Sequence, residues 1–437
     1  MSNSAFKPIN DQTCGWANII DPVPPYPELE GDKQVDWVIV GAGYTGLSAA
    51  YRIAELNPND SIILLDAEQV GQGASSRNSG YIVDITLNDG GATLADDQTQ
   101  LAKIKLNRAG IALVRKRIER HKIECDWDES GKFHCAADKR NIPKLNNFER
   151  FLNEAKLPHQ IWNKHELSER LGTHYYHHAV QTKSGVLINP AALVNGLIRN
   201  LPSQVQVFEQ SPALEIKEGE TIRVRTPKGS IRASRVILAV NASLPKAGFK
   251  QSRVFPLTLT ASMTRPLTDN EYKSIGQPKP WGVLSASSMG ATVRFTNDHR
   301  VMVRNTVEWW PSMAMDKNEL AKRRERNLQG LRKRFPQLEN LSFDHSWSGN
   351  VCISRNSKPV FEQHDNLLIA GCYNAGGIAM GSLFGKLIVD QALSQPSDEL
   401  TQVLALDNPT ILPPRPFFDI GLMTRLAFNR YRGRFEA

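Results

Sequence analysis

Val38-Ile-Val-Gly-Ala-Gly-Tyr-Thr-Gly46 is the stretch from which the rest of this 437-residue chain is read. The apolar run Trp37-Val-Ile-Val40 has the pattern of a buried strand, and Gly41, Gly43 and Gly46 follow it directly. That spacing suits a dinucleotide. Gly41 permits a tight turn, Gly43 lets the backbone approach a pyrophosphate, and Gly46 lets the next helix, expected over 47–56, lie close on the strand. Tyr44 and Thr45 stand where the helix N-terminus offers N–H groups and a positive dipole end to phosphate oxygens. Ile62-Ile-Leu-Leu65 forms the next strand and ends on Asp66, placed to accept hydrogen bonds from the adenosine ribose hydroxyls.

Past the acid runs a second small and polar loop, Gly71-Gln-Gly-Ala-Ser-Ser-Arg-Asn-Ser-Gly80. A nicotinamide cofactor has no use for it. The longer FAD does, because it continues beyond the ribose toward its flavin, where Ala74, Ser75, Arg77, Asn78 and Gly80 can supply donors and close backbone approach.

The remainder of the chain alternates in a different way. Helices are expected over 107–121, 143–155 and 191–199, then strands over 205–208, 214–216, 221–226 and 235–240. Further strands over 258–264, 283–285, 291–295 and 301–307 follow one another without long helices between them, which fits an antiparallel sheet. A last strand, 367–370, enters a second glycine-rich turn and a helix over 382–393. The expected architecture is α/β: a discontinuous Rossmann-like, glutathione-reductase-like FAD-binding domain (30–90, 186–248 and 345–395) with an inserted, mainly antiparallel β-sheet substrate domain (91–185 and 249–344) and a C-terminal extension (396–437).

Composition narrows the setting. Residues 1–12 lack a basic segment followed by an apolar one, no apolar run approaches the length of a membrane span, and the five cysteines are scattered; a reduced, cytoplasmic protein is expected. His174, His177 and His178 match no ligand spacing, so no metal is expected. The formal charge of +8 gathers in residues 322–334 and 425–434. Such runs can attract nucleic acid or anionic lipid, but solvated helix faces are the favoured reading, with nucleic acid and peripheral membrane contact not favoured.

The motifs resemble the D-amino-acid oxidase family in its broad sense, which includes glycine and sarcosine oxidases. They are the stretch 38–46, Leu65-Asp-Ala67, the loop 70–80, Val236-Ile-Leu-Ala-Val-Asn-Ala242, Trp347-Ser-Gly-Asn350 and Asn366-Leu-Leu-Ile-Ala-Gly-Cys-Tyr-Asn-Ala-Gly-Gly377. Within the family the texture is most similar to the γ-glutamylputrescine oxidase branch, through Ile123-Glu-Cys-Asp126, Arg294-Phe-Thr-Asn-Asp-His-Arg300 and Phe335-Pro-Gln-Leu338. The resemblance implies an FAD held between both ends of the chain. Gly371, Asn374, Gly376, Gly377 and Ile378 would lie near the flavin ring, Ala239 and Asn241 near the dinucleotide, and Ala213 against the adenine.

Two departures bear on the substrate. Ala375-Gly-Gly377 stands where relatives usually carry Gly-His-Gly, and Asn350-Val351 stands in place of the carboxylate-binding Arg of glycine oxidases. The expected activity is therefore oxidation of the C–N bond of a long or N-substituted amine, γ-glutamylputrescine-like or other, to an imine. Water then yields an aldehyde, and O2 or another acceptor reoxidises the flavin, O2 giving H2O2. The cofactor does the chemistry, so no dedicated catalytic side chain is expected. Arg304, Glu308, Trp309 and Trp310 are the candidate substrate contacts, with Glu308 holding a distal ammonium. Covalent flavin attachment at Cys352 is not favoured. The rival expectations are a dehydrogenase of the same fold that feeds a membrane quinone, and a flavin-carrying protein that binds or modifies nucleic acid.

Overall fold

A computed structural model describes residues 13–85, 87 and 97–437; the polar stretch 1–12 lies outside them. The strands that build the two main sheets are, in chain order, β1 (Gly31–Val40), β2 (Ile62–Leu65), β3 (Lys132–Ala136), β4 (His159–Asn163), β5 (His178–Thr182), β6 (Val205–Phe208), β7 (Gly229–Leu238), β8 (Val254–Thr264), β9 (Trp281–Ser285), β10 (Thr292–Phe295), β11 (Val301–Glu308), β12 (Phe343–Ser354), β13 (Val360–His364) and β14 (Leu367–Gly371). Five helices matter for the site: α1 (Tyr44–Leu56), α2 (Asp97–His121), α3 (Lys317–Arg334), α4 (Ala379–Ala392) and α5 (Phe417–Gly433).

The first sheet runs β13-β14-β7-β1-β2-β6. Its centre is parallel, with Val38 opposite Val236 on β7 and Ile63 on β2. Trp37 to Val40 and all of β2 are buried, which is why these strands read as unbroken apolar runs rather than alternating ones. The outer edge of β7 is shared: its first half takes a hairpin strand, Ile222–Arg225, and its second half takes β14. Through that second pairing the C-terminal glycine-rich turn arrives beside the N-terminal one. α1, α4 and α2 cover one face, joining Leu47, Ile53, Ile111, Val114 and Ile388 in one core.

The second sheet runs β12-β8-β11-β10-β9-β3-β5-β4, antiparallel throughout except where β9 lies parallel to β3. Strands β3, β4 and β5 fall in a region with no expected strand. Lys132 and His134 interrupt β3, yet both are buried, Lys132 against Asp84 at 3.4 Å. A buried ion pair therefore hid a core strand from a hydrophobic pattern.

The change from one sheet to the other comes after Ser354, inside the segment expected to begin the last FAD-binding piece at 345. β12 runs alongside the whole of β8, from Val254 opposite Ser354 to Thr264 opposite Phe343. Likewise α2, expected within the substrate domain, packs on α4 of the first layer. The basic stretch of α3 is also not simply solvated: Leu320, Arg323, Asn327, Leu331 and Arg334 face inward at helical spacing.

Candidate active site

One continuous cavity of about 1600 Å³ runs between the two sheets, larger than the ~300–1,000 Å³ of an ordinary small-molecule pocket. The glycine-rich turn forms one end. Gly41 has φ +107°, and a Cβ there would meet the Ala239 carbonyl at 2.7 Å. At Gly43 a Cβ would reach Ser75 Oγ at 2.7 Å and fill the cradle. Gly46 stays off the wall, and its part is packing: a Cβ there would lie 1.9 Å from the Gly41 carbonyl oxygen. Tyr44 and Thr45 open α1 on the cavity, where the helix dipole favours an anion.

Asp66 lines the same end. Its carboxylate accepts the N–H groups of Ala42 at 3.1 Å and Glu68 at 3.0 Å, and further acceptor positions remain toward the cavity. Burial pushes its carboxyl up to about 6. Ala213 sits nearby on the wall.

The loop after the acid folds into a short helical turn, with Ala74, Ser75, Arg77 and Asn78 all on the cavity wall. Ser75 Oγ accepts the Tyr44 N–H at 3.2 Å, and Arg77 reaches across to the Ser348 carbonyl at 2.9 Å. Gly80 is set back: its N–H donates to Asn78 Oδ1 at 2.8 Å and its carbonyl accepts from Arg294 at 3.1 Å.

The middle of the cavity is made by the second turn. Ala239, Asn241, Asn374, Gly376, Gly377 and Ile378 line it, and Gly371 stays behind at the end of β14. Asn241 Oδ1 accepts the Cys372 N–H at 2.9 Å, and Asn374 Oδ1 accepts the Ser354 N–H at 3.0 Å. Thr45 Oγ1 and Tyr373 Oη share a 2.8 Å hydrogen bond that ties the two turns together. Cys372, Asn374 and Ala375 all have positive φ, a strained run for side-chain-bearing residues. Cys352 also lines the cavity, and burial raises its thiol well above the ordinary range.

The far end separates the candidate substrate contacts. Arg304 lines the cavity, donates to Thr292 Oγ1, and has no ion pair among the described residues. Burial lowers its guanidinium to about 10. Glu308 points the other way. It takes both Nε and Nη2 of Arg323, at 2.9 and 3.1 Å, and its side chain is 12% exposed, so it is spent on α3 and is not free to hold a substrate ammonium.

Trp310, like Glu308, packs on Arg323, whose guanidinium lies 5.2 Å over its ring. Trp309 forms a second layer behind the wall, 6.1 Å from the Phe255 ring and 5.7 Å from the Phe418 ring. The aromatic wall is instead Phe255, Phe417 and Phe418, joined by Leu422 and Leu426 of α5. No expectation placed α5 there. The aromatic and leucine spacing in 417–433 was the available signal, masked by five arginines in and around it.

Two sheets between which the chain passes, with a glycine-cradled cavity between them, suit an FAD-dependent oxidoreductase. Residues 36–391 match the family model described as FAD dependent oxidoreductase (DAO), and the chain belongs to that family. It is 26% identical over 422 residues to a probable oxidoreductase OrdL of Haemophilus influenzae, covering 93% of each chain. It is 27% identical over 375 residues to the γ-glutamylputrescine oxidoreductase of Escherichia coli, covering 84% of this chain and 85% of that one. Glycine oxidase from Geobacillus kaustophilus shares the fold at a TM-score of 0.70 and 18% identity, over 84% of this chain and 96% of that one.

Proposed function

We propose that this enzyme oxidises the C–N bond of a long or N-substituted amine whose remote end carries a carboxylate. One observation supports that choice above the others. Arg304 is a guanidinium on the cavity wall with no acidic partner among the described residues, and burial already disfavours its charge. A buried cation without an anion is costly, so a ligand carboxylate is the group that such a position stabilises most. Asn350 cannot play that part, because its amide is engaged by the Met313 carbonyl at 3.0 Å and the Thr258 hydroxyl at 2.7 Å. The compound named in the Escherichia coli relative, γ-glutamylputrescine, has a carboxylate at one end and a primary amine at the other, which agrees with this reading.

The residues of both glycine-rich turns, Asp66 and the 74–78 segment would hold FAD, which supplies the two-electron acceptor. The protein does the rest. Arg304 fixes the carboxylate, while Phe255, Leu257, Leu259 and Val307 provide an apolar bed for the chain between. The α5 residues Phe418, Leu422 and Leu426 keep water from the neutral amine. Loss of two electrons and two protons converts the amine to an imine. Water then adds and releases an aldehyde with ammonia or the smaller amine. Dioxygen takes up the electrons and gives hydrogen peroxide.

Anaerobic mixing with a panel of amines tests this reading. Bleaching of the flavin colour by long amines bearing a carboxylate, and only weakly by their methyl esters, is the expected result. Rapid bleaching by glycine or D-alanine, with none by the long amines, overturns it.

A further inference from the structure

We propose that the outer face of α5 docks the protein on an anionic lipid bilayer. α5 has two opposed apolar faces. Phe418, Leu422 and Leu426 face the cavity. Opposite them, Ile420, Met423, Phe428 and Tyr431 are between 57% and 64% exposed. With 3.6 residues per turn these four fall on one stripe, which Ala427 and Thr424 continue. Contiguous exposed apolar surface of this kind marks an interaction site in a soluble protein.

The charges say what the partner is. Arg430 borders the stripe on one side, and Arg425 and Arg432 border it on the other, all exposed. Arg432 and Arg434 lie over the outward rings of Phe428 and Tyr431, at 5.7 and 4.0 Å, so the cationic groups are held next to the apolar surface. The two acids of the segment are turned away: Asp419 pairs with Arg415 at 3.7 Å, and Glu436 is buried. Two copies meeting through this face would set arginine against arginine, since a twofold interface brings a patch against itself. An anionic headgroup layer over an acyl boundary complements both the charge and the apolar stripe. Among the described residues no helix is long and apolar enough to cross a membrane, so the mode is one of lying in the interface. The docked helix is also a wall of the cavity, which puts the active-site cover at the lipid surface.

Co-sedimentation of the full flavin-loaded chain with vesicles tests the proposal. It should pellet with vesicles containing phosphatidylglycerol, stay in solution with phosphatidylcholine alone, and be released by high salt, which needs no variant. Ile420→Asp and Phe428→Asp, both on the solvent side, should each abolish pelleting while flavin content and far-ultraviolet dichroism stay unchanged. Arg432→Gln should lower partitioning about fivefold, the share of one basic residue near an anionic surface. A wild-type chain that remains in the supernatant with both vesicle types overturns the proposal. So does a salt-resistant dimer in gel filtration that Ile420→Asp converts to monomer, because the face would then belong to a second copy.

Discussion

Arg304 and Glu308 are four residues apart on β11, where strict alternation would put both side chains on one face. A bulge separates them: Thr260 pairs with Thr306 but Ala261 pairs with Arg304, leaving Asn305 as the extra residue. Arg304 and Val307 therefore line the cavity, while Glu308 turns to Arg323. Arg304→Ala should raise KM for carboxylate-bearing amines by about 10- to 100-fold and leave kcat nearly constant, as loss of a charged hydrogen bond made equally in ground and transition states does. Steady-state kinetics against the methyl esters check it, since equal KM changes for acid and ester would reduce Arg304 to a structural role.

Asp66 adds a pH dependence. Its folded-state carboxyl is raised from 3.8 to about 6, so the cofactor-free protein prefers the protonated form. That contribution to cofactor-free stability is fully present below about 4 and is lost as pH rises through about 6. FAD binding is expected to run oppositely, because ribose hydroxyls held at Asp66 would favour the ionised acceptor. The FAD dissociation constant should rise up to about tenfold per pH unit as pH falls below about 6, and the rise should vanish in Asp66→Asn. Fluorescence titration of the cofactor-free protein reads both. A third residue, Cys352, lines the cavity as a thiol that burial keeps protonated, whereas attack on a flavin needs the thiolate. Acid precipitation should leave the yellow colour in the supernatant. Colour retained in the pellet, and lost in Cys352→Ser, would show attachment.

At the scale of elements, the turn after β14 carries the clearest strain. Ala375 sits at φ +74°, where an L-residue is less stable than glycine by about 1–2 kcal/mol. Glycine would lose about 0.5–1 kcal/mol of that advantage through its freer unfolded chain. The native-state term wins, so Ala375→Gly should stabilise the protein by roughly 0.5 kcal/mol, measured by denaturant unfolding. A destabilised variant would mean that the Ala375 methyl makes a contact worth more than the backbone strain. The helix α3 shows the opposite balance, with a highly charged sequence folded onto the sheet. Arg323 is held by Glu308 and Glu319, and Arg334 by the Tyr176 hydroxyl at 3.1 Å and the Gly330 carbonyl at 2.8 Å.

For the molecule as a whole, the C-terminal residues close the second layer. Glu436 is buried, and its carboxylate accepts from Ser285 Oγ at 2.5 Å, Asn141 Nδ2 at 2.8 Å and the Asp138 N–H at 3.2 Å. Its carbonyl accepts from Arg334 at 2.9 Å and the Ala291 N–H at 3.0 Å. One residue thus joins β9, α3 and the segment after β3. Glu436→Ala would strip that acceptor from three partners, and a loss of about 2–4 kcal/mol is expected by thermal unfolding. FAD affinity should stay unchanged, because no partner of Glu436 belongs to either glycine-rich turn, to Asp66 or to the 74–78 segment. A large fall in FAD affinity at unchanged melting temperature would contradict that separation.

By itself the sequence determined the nucleotide end of this protein. Strand, glycine turn, helix, second strand and acid lie within residues 37–66, because a phosphate cradle is made from backbone that is contiguous in the chain. Those motifs also carried the family and its FAD. Only the tertiary structure decided the makeup of the opposite end of the cavity. Which of Arg304 and Glu308 reaches the cavity depends on a bulge fixed by pairing with β8, some forty residues away in sequence. That α5 walls the cavity depends on which of its two apolar faces meets the sheets, and an outward apolar face looks the same as an inward one in a sequence pattern. Likewise β12 could be assigned to the second sheet only once its partner was known, since an edge of either sheet would satisfy its backbone equally well.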